Sequence, residues 1–415
     1  MIAQLAGLVT RWEGKKFLKL KQDFNLEQIF SSVKDRKGLP LYIHVPFCRK
    51  LCPFCCFNRY LFKEDLARNY FLYLKRELDM YLERGFSFSS FYIGGGTPTV
   101  LMDELMDFIG YLNQKCSVNE ISLETTPAEL TDNNIRRLKE AGIKRLSAGV
   151  QSFNDEYLKA MGRTLCTAEE SKKRLVKAQG QFTTLNIDLI FNFPFQNLDN
   201  FRKDVETFKE LGIDQVTFYP LMPSPHKKDA LEKKFNKVDF SREKQYYDVI
   251  LAEVYRRGYI ASTVWCFSTG NQMIDEYIVD SADYAAIGSG SVSLMNGNFL
   301  VNTFSLGNYT KMLSSGSFPV ILSRTLTLKE YARYYFLTKL FGLKINKRAF
   351  SQQFGSEIQD LLKTELAVLK IANIVKETDG EIKVTPEGMF TISVMMREFF
   401  ASLNTLREMC IEKQM

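Results

Sequence analysis

The sequence predicts an α/β protein: a partial (β/α)6 barrel of TIM type followed by a smaller C-terminal α+β domain. Three observations lead to this fold class. Short runs of β-branched and aromatic residues alternate with longer amphipathic segments, a pattern typical of parallel strands joined by helices. Several of those segments close with glycine, as at Gly142 and Gly212, the residue expected just past a helix end. The 415 residues exceed one ordinary domain and suit a large barrel with an appendage.

Six runs are predicted to be the strands of one parallel sheet. They are Leu41–Val45, the run FYIGG from Phe91, the run EISLE ending at Glu124, Arg145–Val150, Leu185–Phe191 and Gln215–Pro220. The carboxyl ends of parallel strands meet at one edge of a barrel, and ligands bind there. Functional side chains are therefore expected just after each run.

We divide the chain into four parts on this pattern. An N-terminal extension covers 1–38, the barrel covers 39–225, a barrel extension with an active-site loop covers 226–324, and the C-terminal domain covers 325–415. In the third part, Gly288 and Gly290 are expected to approach a ligand closely. The last part resembles a winged helix in shape. Its basic residues alternate with acidic ones and form no stripe, which favours a substrate lid or partner surface over a nucleic-acid partner.

Composition and charge exclude several classes of protein. With 45% hydrophobic and 25% charged residues the chain is globular, and no run approaches the 18 apolar residues of a membrane span. No secretory signal is evident, and eight cysteines suit the reducing cytoplasm. The net charge of +7 allows peripheral contact with the inner face of a membrane, although such a balance is more often a solvated surface.

Three cysteines carry the clearest chemical signal. Cys48, Cys52 and Cys55 have the spacing C-x3-C-x2-C, which suits three irons of a 4Fe–4S cluster and leaves the fourth iron without a thiolate. A zinc site or inert buried thiols are the alternatives. Structural zinc usually takes four Cys or His ligands in two pairs, and this chain has two histidines and no second C-x2-C pair beyond this loop. The adjacent Cys56 is expected to be a small buried residue.

Polar and glycine residues follow the predicted strands, each with a structural alternative. The Gly94–Gly96 run can bring backbone close to a ligand or can be a plain turn. Glu124 can accept hydrogen bonds from a ribose or an ammonium, or can cap the next helix. Asp188 lies within an apolar strand and needs a partner; with Arg163 it could form a structural ion pair.

These motifs resemble a known family. The strings YIHVPFCRKLCPFC, IGGGTPT, RLSAGVQSFN, MGR and NIDLIF, over roughly residues 40–220, resemble the oxygen-independent coproporphyrinogen oxidase group of the radical S-adenosylmethionine (SAM) superfamily. The resemblance implies a 4Fe–4S cluster whose open iron is chelated by SAM, and it implies two SAM molecules. The implied residues for the first SAM are Tyr42, Gly95 and Glu124; those for the second are Gly96, Thr97, Gln151, Arg163 and Asp188.

Positions at which this chain differs from the motifs of that group favour some of the group's activities over others. The oxidases carry a further cysteine where this chain has Phe57, and the heme chaperones carry a His-Asn pair where this chain has Asn271 without a histidine. What remains resembles the class C methylases, and the cluster loop is similar to that of menaquinone C8-methyltransferases. This resemblance implies that one SAM is cleaved to a deoxyadenosyl radical while the other donates a methyl group to a ring carbon. Porphyrinogen decarboxylation and heme trafficking are the alternatives.

The implied partners are a lipophilic quinone and an electron donor such as flavodoxin or ferredoxin. Aromatic residues are abundant, with 33 phenylalanines and 19 tyrosines, which would suit such a quinone, although most aromatics build a core in any protein. The catalytic residue is not identified; Tyr219 and Asp188 are candidates for the proton-removing base.

Overall fold

The structure is a computed structural model that describes residues 2–33, 36–118, 120–235, 237–270, 279 and 281–415. Its centre is a sheet of nine strands in the order β11-β1-β4-β5-β6-β7-β8-β10-β9. The strands of this sheet are β1 (Leu39–Val45), β4 (Phe88–Gly95), β5 (Ile121–Thr125), β6 (Arg145–Gln151), β7 (Thr184–Phe191), β8 (Gln215–Pro220), β9 (Ile260–Ala261), β10 (Cys266–Ser268) and β11 (Ala285–Ile287).

The six predicted strands are β1 and β4 to β8, and they are parallel and adjacent in the predicted order. The α/β fold class of TIM type is therefore confirmed. Two features were not predicted. β11 adds a seventh parallel strand beside β1, and β10 and β9 extend the other edge in antiparallel register.

Helices follow the strands because the segments between them have one apolar face. Those of the barrel are α3 (Glu64–Glu83), α4 (Met102–Lys115), α5 (Asp132–Glu140), α6 (Asp155–Ala160), α7 (Ala168–Ala178), α8 (Leu198–Leu211), α9 (Pro225–Lys234) and α10 (Glu243–Glu253). Four of them, α5 to α8, start at capping side chains, since Thr131, Asn154, Thr167 and Asn197 each accept a hydrogen bond from the first turn. These caps fix where the four helices begin.

The rest of the chain covers one end of the barrel. It contains the antiparallel sheet β12 (Val292–Met295), β13 (Asn298–Asn302) and β14 (Val320–Thr325), with helix α11 (Leu306–Ser314), and then helices α12 (Leu328–Phe341), α13 (Lys347–Phe354), α14 (Ile358–Ile371) and α15 (Met389–Glu412). A small antiparallel sheet is formed by β15 (Lys344–Asn346), β17 (Glu381–Val384) and β16 (Val375–Glu377).

The N-terminal helices are α1 (Ile2–Phe17) and α2 (Leu26–Ser32). Helix α1 lies along α15, the last helix of the chain. Two glycines allow this close approach: a Cβ at Gly7 would lie 2.8 Å from Val394 Cγ1, and one at Gly14 would lie 2.9 Å from Ser402 Oγ. Phe17 closes the contact against the rings of Tyr334, Phe399 and Phe299. The N-terminal extension is thus tied to the C-terminal helix. Within the described residues, no helix is both long and apolar enough to cross a membrane.

Candidate active site

A cavity of about 360 Å³ opens at the carboxyl ends of the parallel strands. All the residues that the sequence nominated for cluster or SAM binding line it: Tyr42, Cys48, Cys52, Cys55, Gly95, Gly96, Thr97, Glu124, Gln151, Arg163 and Asp188. Its size falls within the range of small-molecule sites. The cavity is therefore the candidate active site.

The three cysteines lie on the cluster loop, residues 46–60, which is fixed at its base. There β2 (Phe47–Cys48) pairs in parallel with β3 (Tyr60–Leu61). His44 joins the loop to the barrel, because its ring nitrogens lie 2.9 Å from Tyr42 Oη and 2.8 Å from the carbonyl of Asn58. Burial lowers the pKa of His44 to about 4, so this histidine is neutral at ordinary pH and acts as a structural bridge.

A second contact holds the loop from the other side. Asn58 donates to the carbonyl of Ser289 at 3.0 Å, and a Cβ at Gly290 would meet Asn58 Cβ at 2.7 Å. A Cβ at Gly288 would meet the carbonyl oxygen of His44 at 2.5 Å. The chain itself occupies the space beside both glycines, and Gly290 also borders the cavity, so their approach to a ligand stays a prediction.

The donor set of the cluster loop fits an iron–sulfur cluster better than a zinc ion. All three thiols face the cavity. A tetrahedral zinc site with Zn–S bonds of about 2.3 Å requires sulfurs about 3.8 Å apart. In the described chain, the one group of at least three Cys, His, Asp or Glu ligand atoms that lie within 4.8 Å of one another is His226, Glu408 and Glu412. The three sulfurs are thus spread more widely than one zinc ion needs.

The surroundings of the sulfurs also suit a cationic cluster. Burial, followed by the neighbouring Cys55 thiol, raises the pKa of Cys48 to about 11, so its thiolate needs a nearby cation. Thr97 Oγ1 lies 3.8 Å from Cys48 Sγ, and Arg163 Nη1 lies 3.9 Å from Cys52 Sγ. The adjacent Cys56 is buried, with its sulfur 3.7 Å from the carbonyl oxygen of Phe54.

The glycine run after β4 packs against the protein itself. A Cβ at Gly94 would lie 2.7 Å from the Glu124 carboxyl carbon, one at Gly95 would lie 2.6 Å from the His44 ring, and one at Gly96 would lie 2.6 Å from the carbonyl oxygen of Phe47. Gly95 also has φ of +114°, which favours glycine. The run is needed to bring the strand end, Glu124 and the cluster loop together.

Glu124 holds the end of β4 and does not cap a helix. Its carboxylate accepts from the Gly95 amide and from Tyr92 Oη, both at 3.0 Å. The following helix α5 is capped by Thr131 instead. Burial raises the pKa of Glu124, which these two hydrogen bonds partly offset. The carboxylate borders the cavity while its partners fix its orientation.

Asp188 and Arg163 both border the cavity and do not form an ion pair with each other. Asp188 accepts from Asn186 Nδ2 at 2.8 Å and from Ser147 Oγ at 3.1 Å, whereas Arg163 donates to the carbonyl of Gly149. Burial and then the Glu124 charge raise the pKa of Asp188 to about 7. The structural ion pair considered as an alternative is therefore absent.

Gln151 ends β6 in a strained conformation, with φ of +75° in a residue other than glycine. A Cβ at the nearby Gly149 would lie 2.9 Å from Gln151 Nε2 and 3.2 Å from Arg163 Nη2. The turn that follows also reaches the cluster loop, since a Cβ at Gly162 would lie 3.0 Å from Pro53 Cδ. This strained segment brings Gln151 and Arg163 to the cavity. Tyr219, the other candidate base, lines the cavity with its ring 5.8 Å from that of Trp265.

Sequence reasoning missed the opposite side of the cavity. Helix α15 supplies Phe399, Phe400, Leu403, Asn404 and Arg407 to the lining. None of the lining residues comes from α13, α14 or the small sheet β15 to β17 in the described chain. Two helices of the C-terminal region thus border the site, α15 and, through Tyr334, α12, whereas the described residues of α13, α14 and the small sheet do not. The residues around Asn271 lie outside the described residues.

Two arginines flank Phe57 where the cluster loop meets α15. Arg407 Cζ lies 4.6 Å from the centre of the Phe57 ring, and Arg59 Nη1 donates to the carbonyl of Phe57 at 3.4 Å. Neither forms an ion pair with a carboxylate of the described chain, and the buried Arg59 Nε has no hydrogen-bond partner there. This pair, Arg59 and Arg407, offers positive charge to the cavity.

Comparison with known protein families identifies the superfamily to which the barrel residues belong. The family model of the radical SAM superfamily matches residues 42–208, the stretch that holds the cluster loop and every predicted SAM residue. These residues belong to the radical SAM superfamily. A 4Fe–4S cluster and SAM are therefore the cofactors of this barrel, in agreement with the sequence prediction.

Similar proteins span nearly the whole chain and define a HemN/HemW-like group. The heme chaperone HemW of Bacillus subtilis (strain 168) is 24% identical over 382 residues, which cover 87% of this chain and 99% of the relative. The oxygen-independent coproporphyrinogen III oxidase of Helicobacter pylori (strain J99) is 26% identical over 426 residues, covering 93% and 92%. The structure of coproporphyrinogen III oxidase (HemN) from Escherichia coli superposes with a TM-score of 0.77 at 22% identity, covering 92% and 95% of the two chains. The fold of this chain is thus that of HemN.

Proposed function

We propose that this protein is a radical SAM enzyme whose substrate is a tetrapyrrole with carboxylate side chains. The observation that carries the proposal is the pair Arg59 and Arg407, which lies beside an aromatic wall and lacks a carboxylate partner in the described chain. A planar apolar ring system suits the wall, and carboxylates suit the arginines. A neutral quinone would leave both charges without a partner.

The relatives support the same substrate class. One is named for heme and another for coproporphyrinogen III, and both molecules are tetrapyrroles with propionate side chains. The prediction of a menaquinone substrate receives no support from these relatives. Tetrapyrrole chemistry, kept as the alternative in the sequence analysis, is therefore the better interpretation.

The residues of the strand ends would hold the cofactors. Cys48, Cys52 and Cys55 would hold the 4Fe–4S cluster, and SAM would bind beside it in the same cavity. When bound, the cluster and SAM would supply the radical chemistry that removes a hydrogen atom from the substrate. Glu124, held by Gly95 and Tyr92, would accept a hydrogen bond from the SAM ribose or ammonium. Arg163 would screen negative charge at Cys52, from which it lies 3.9 Å.

Methyl transfer is the second candidate function. It requires two SAM molecules, and one observation favours it: the residues assigned to the second molecule, such as Gln151 and Asp188, line the same cavity as those assigned to the first. Under this candidate the methyl group would pass to the tetrapyrrole rather than to a quinone.

Anaerobic turnover tests the proposal. Reconstituted protein is incubated with a reductant, methyl-deuterated SAM and, in separate reactions, coproporphyrinogen III, heme and a demethylmenaquinone. We expect deoxyadenosine formation coupled to consumption of a tetrapyrrole, with the product identified by mass. A gain of one deuterated methyl group would favour the second candidate. Consumption of the quinone alone would overturn the tetrapyrrole assignment.

Heme titration separates the enzyme from a binding protein. Tight, stoichiometric heme binding without deoxyadenosine formation would contradict the enzyme proposal and favour a chaperone. In the described chain, His226 is exposed and His44 is bonded through both ring nitrogens, so histidine ligation by His44 would first require its release from Tyr42 and Asn58. We therefore expect heme to behave as a substrate held through its carboxylates.

A further inference from the structure

Helix α1 carries an apolar face that the protein does not bury. Ile2, Leu5, Leu8, Val9 and Trp12 are 51% to 63% exposed. At about 100° per residue they fall within an arc of about 120° on the helix surface. Such a continuous face differs from single exposed apolar residues, which are normal on protein surfaces.

Packing fixes the direction of this face. The buried residues Gly7, Thr10, Gly14 and Phe17 form the opposite side of α1. Gly7 and Gly14 have no space for side chains against α15, and Phe17 is inserted among three aromatic rings. Rotating the helix to bury its leucines would break these contacts. The apolar face therefore stays outward while the helix is docked.

Positive charge surrounds the apolar face. Residues 2–21 contain Arg11, Lys15, Lys16, Lys19 and Lys21 against a single acid, Glu13, and Arg11 is paired with Glu398 of α15. Glu13 is itself paired with Lys16 and Arg333. Lys15, Lys19 and Lys21 have no ion-pair partner within the described part of the chain, and the Lys16 ammonium lies over the Trp12 ring. An apolar stripe flanked by lysines is the pattern of helices that lie in the membrane interface.

We infer that α1 attaches the protein to an anionic lipid surface, with Leu5, Leu8, Val9 and Trp12 entering the interface and the lysines contacting the headgroups. A second copy of this chain fits less well, because pairing two such faces would bring like charges together. An anionic bilayer satisfies both the apolar and the basic part of the surface.

Tryptophan fluorescence offers a direct test. The chain has two tryptophans; Trp265 is 1% exposed and Trp12 is 58% exposed. Cluster-loaded protein is mixed with vesicles of phosphatidylcholine alone or with one third phosphatidylglycerol. We expect cosedimentation and a blue shift of emission with the anionic vesicles, weakening as salt rises. The shift should be missing in Trp12→Phe.

Variants distinguish lipid insertion from self-association of the protein. Leu5→Gln/Leu8→Gln should lower vesicle affinity at least tenfold with turnover unchanged, and Lys15→Gln/Lys19→Gln should lower it for anionic vesicles. The matched control is Leu72→Gln/Ile371→Gln, two residues 61% and 87% exposed elsewhere on the surface. Vesicle binding unaffected by the α1 variants, or no binding, would overturn the inference. A dimer in sedimentation velocity that the leucine variant dissociates would overturn it in favour of self-association.

Discussion

The two walls of the cavity are built on different principles. The strand wall comprises the cluster loop and the carboxyl ends of β1 and β4 to β8, and its polar groups are each held by partners, as Glu124 is by Gly95 and Tyr92. The helix wall comprises the inward face of α15 with Trp265, and it is mainly aromatic and aliphatic, with Arg407 at its end. Preorganised polar groups suit cofactors shared by a superfamily, and an apolar wall suits one substrate. The strand wall therefore indicates the type of reaction, and the helix wall indicates the substrate.

The largest effect is expected on the strand wall, at the cluster. Replacing Cys48, Cys52 or Cys55 with alanine removes a thiolate, and no described side chain is placed to replace it, so iron content and deoxyadenosine formation should both collapse. Cys56→Ala is the matched control, because Cys56 is buried beside the same loop. Iron analysis and absorbance of the reconstituted proteins measure the effect. If Cys56→Ala lost the cluster while Cys55→Ala kept it, the ligand assignment would be wrong by one residue.

The two walls also differ in how much of their structure could be predicted from the sequence. The six strands and all the nominated residues of the strand wall were predictable, because strand periodicity and motif spacing are local signals. The β4 strand nevertheless begins at Phe88 rather than Phe91. The helix wall was not predictable, since the contact of Arg407 with Phe57 joins residues 350 apart in sequence by packing alone. The glycines Gly7 and Gly14, one heptad apart, were the available signal that α1 packs closely on another helix.

A large but smaller effect is expected at Glu124. In Glu124→Gln the side chain keeps its size, but one of its two acceptor atoms becomes a donor that faces the Gly95 amide or the Tyr92 hydroxyl. We expect reductive SAM cleavage to fall by about 10- to 100-fold, corresponding to roughly 1.4 to 2.8 kcal/mol. Deoxyadenosine is measured without substrate, at saturating reductant and matched iron content. The control Glu129→Gln lines the same cavity but pairs with Arg49. An equal loss in both variants would show that Glu124 has no specific role.

On the helix wall, Arg407→Gln should raise KM for a carboxylated tetrapyrrole about tenfold, since one charge-assisted hydrogen bond contributes about 1.5–3 kcal/mol and the site is open to water. Iron content and substrate-free SAM cleavage should not change. Arg136→Gln serves as the surface control, because Arg136 pairs with Glu140 on an exposed helix. Esterifying the substrate carboxylates should remove the difference between wild type and Arg407→Gln. A defect that persists with the ester would mean that Arg407 acts by packing on Phe57.

The smallest effect is a pH dependence of stability from Asp188. Burial, and after it the Glu124 charge, raises the pKa of Asp188 to about 7 from an ordinary value of 3.8. A carboxyl whose pKa is raised on folding contributes stability at low pH and loses it as pH rises through the folded value. The linkage limit is about 1.4 kcal/mol per pH unit. Because Asp188 is half-buried and faces an open cavity, we expect about 1 kcal/mol over the whole interval from pH 5 to pH 8.

Comparison with Asp188→Asn isolates this contribution. Asparagine keeps the shape and cannot ionise, so the free energy of unfolding of the variant should rise relative to that of wild type as pH increases from 5 to about 7, where unfolded Asp188 is already ionised and the folded carboxyl loses its proton. At pH 8 the variant should be the more stable, because wild type then holds a negative charge in the cavity wall beside Glu124. Urea unfolding of cluster-loaded protein without SAM, followed at several pH values, measures the difference. Other carboxyls with raised pKa values, such as Glu77, are common to both proteins and cancel in the comparison. If the difference did not change with pH, Asp188 would already be ionised at pH 5, and it could then pair with a cofactor cation across the whole range.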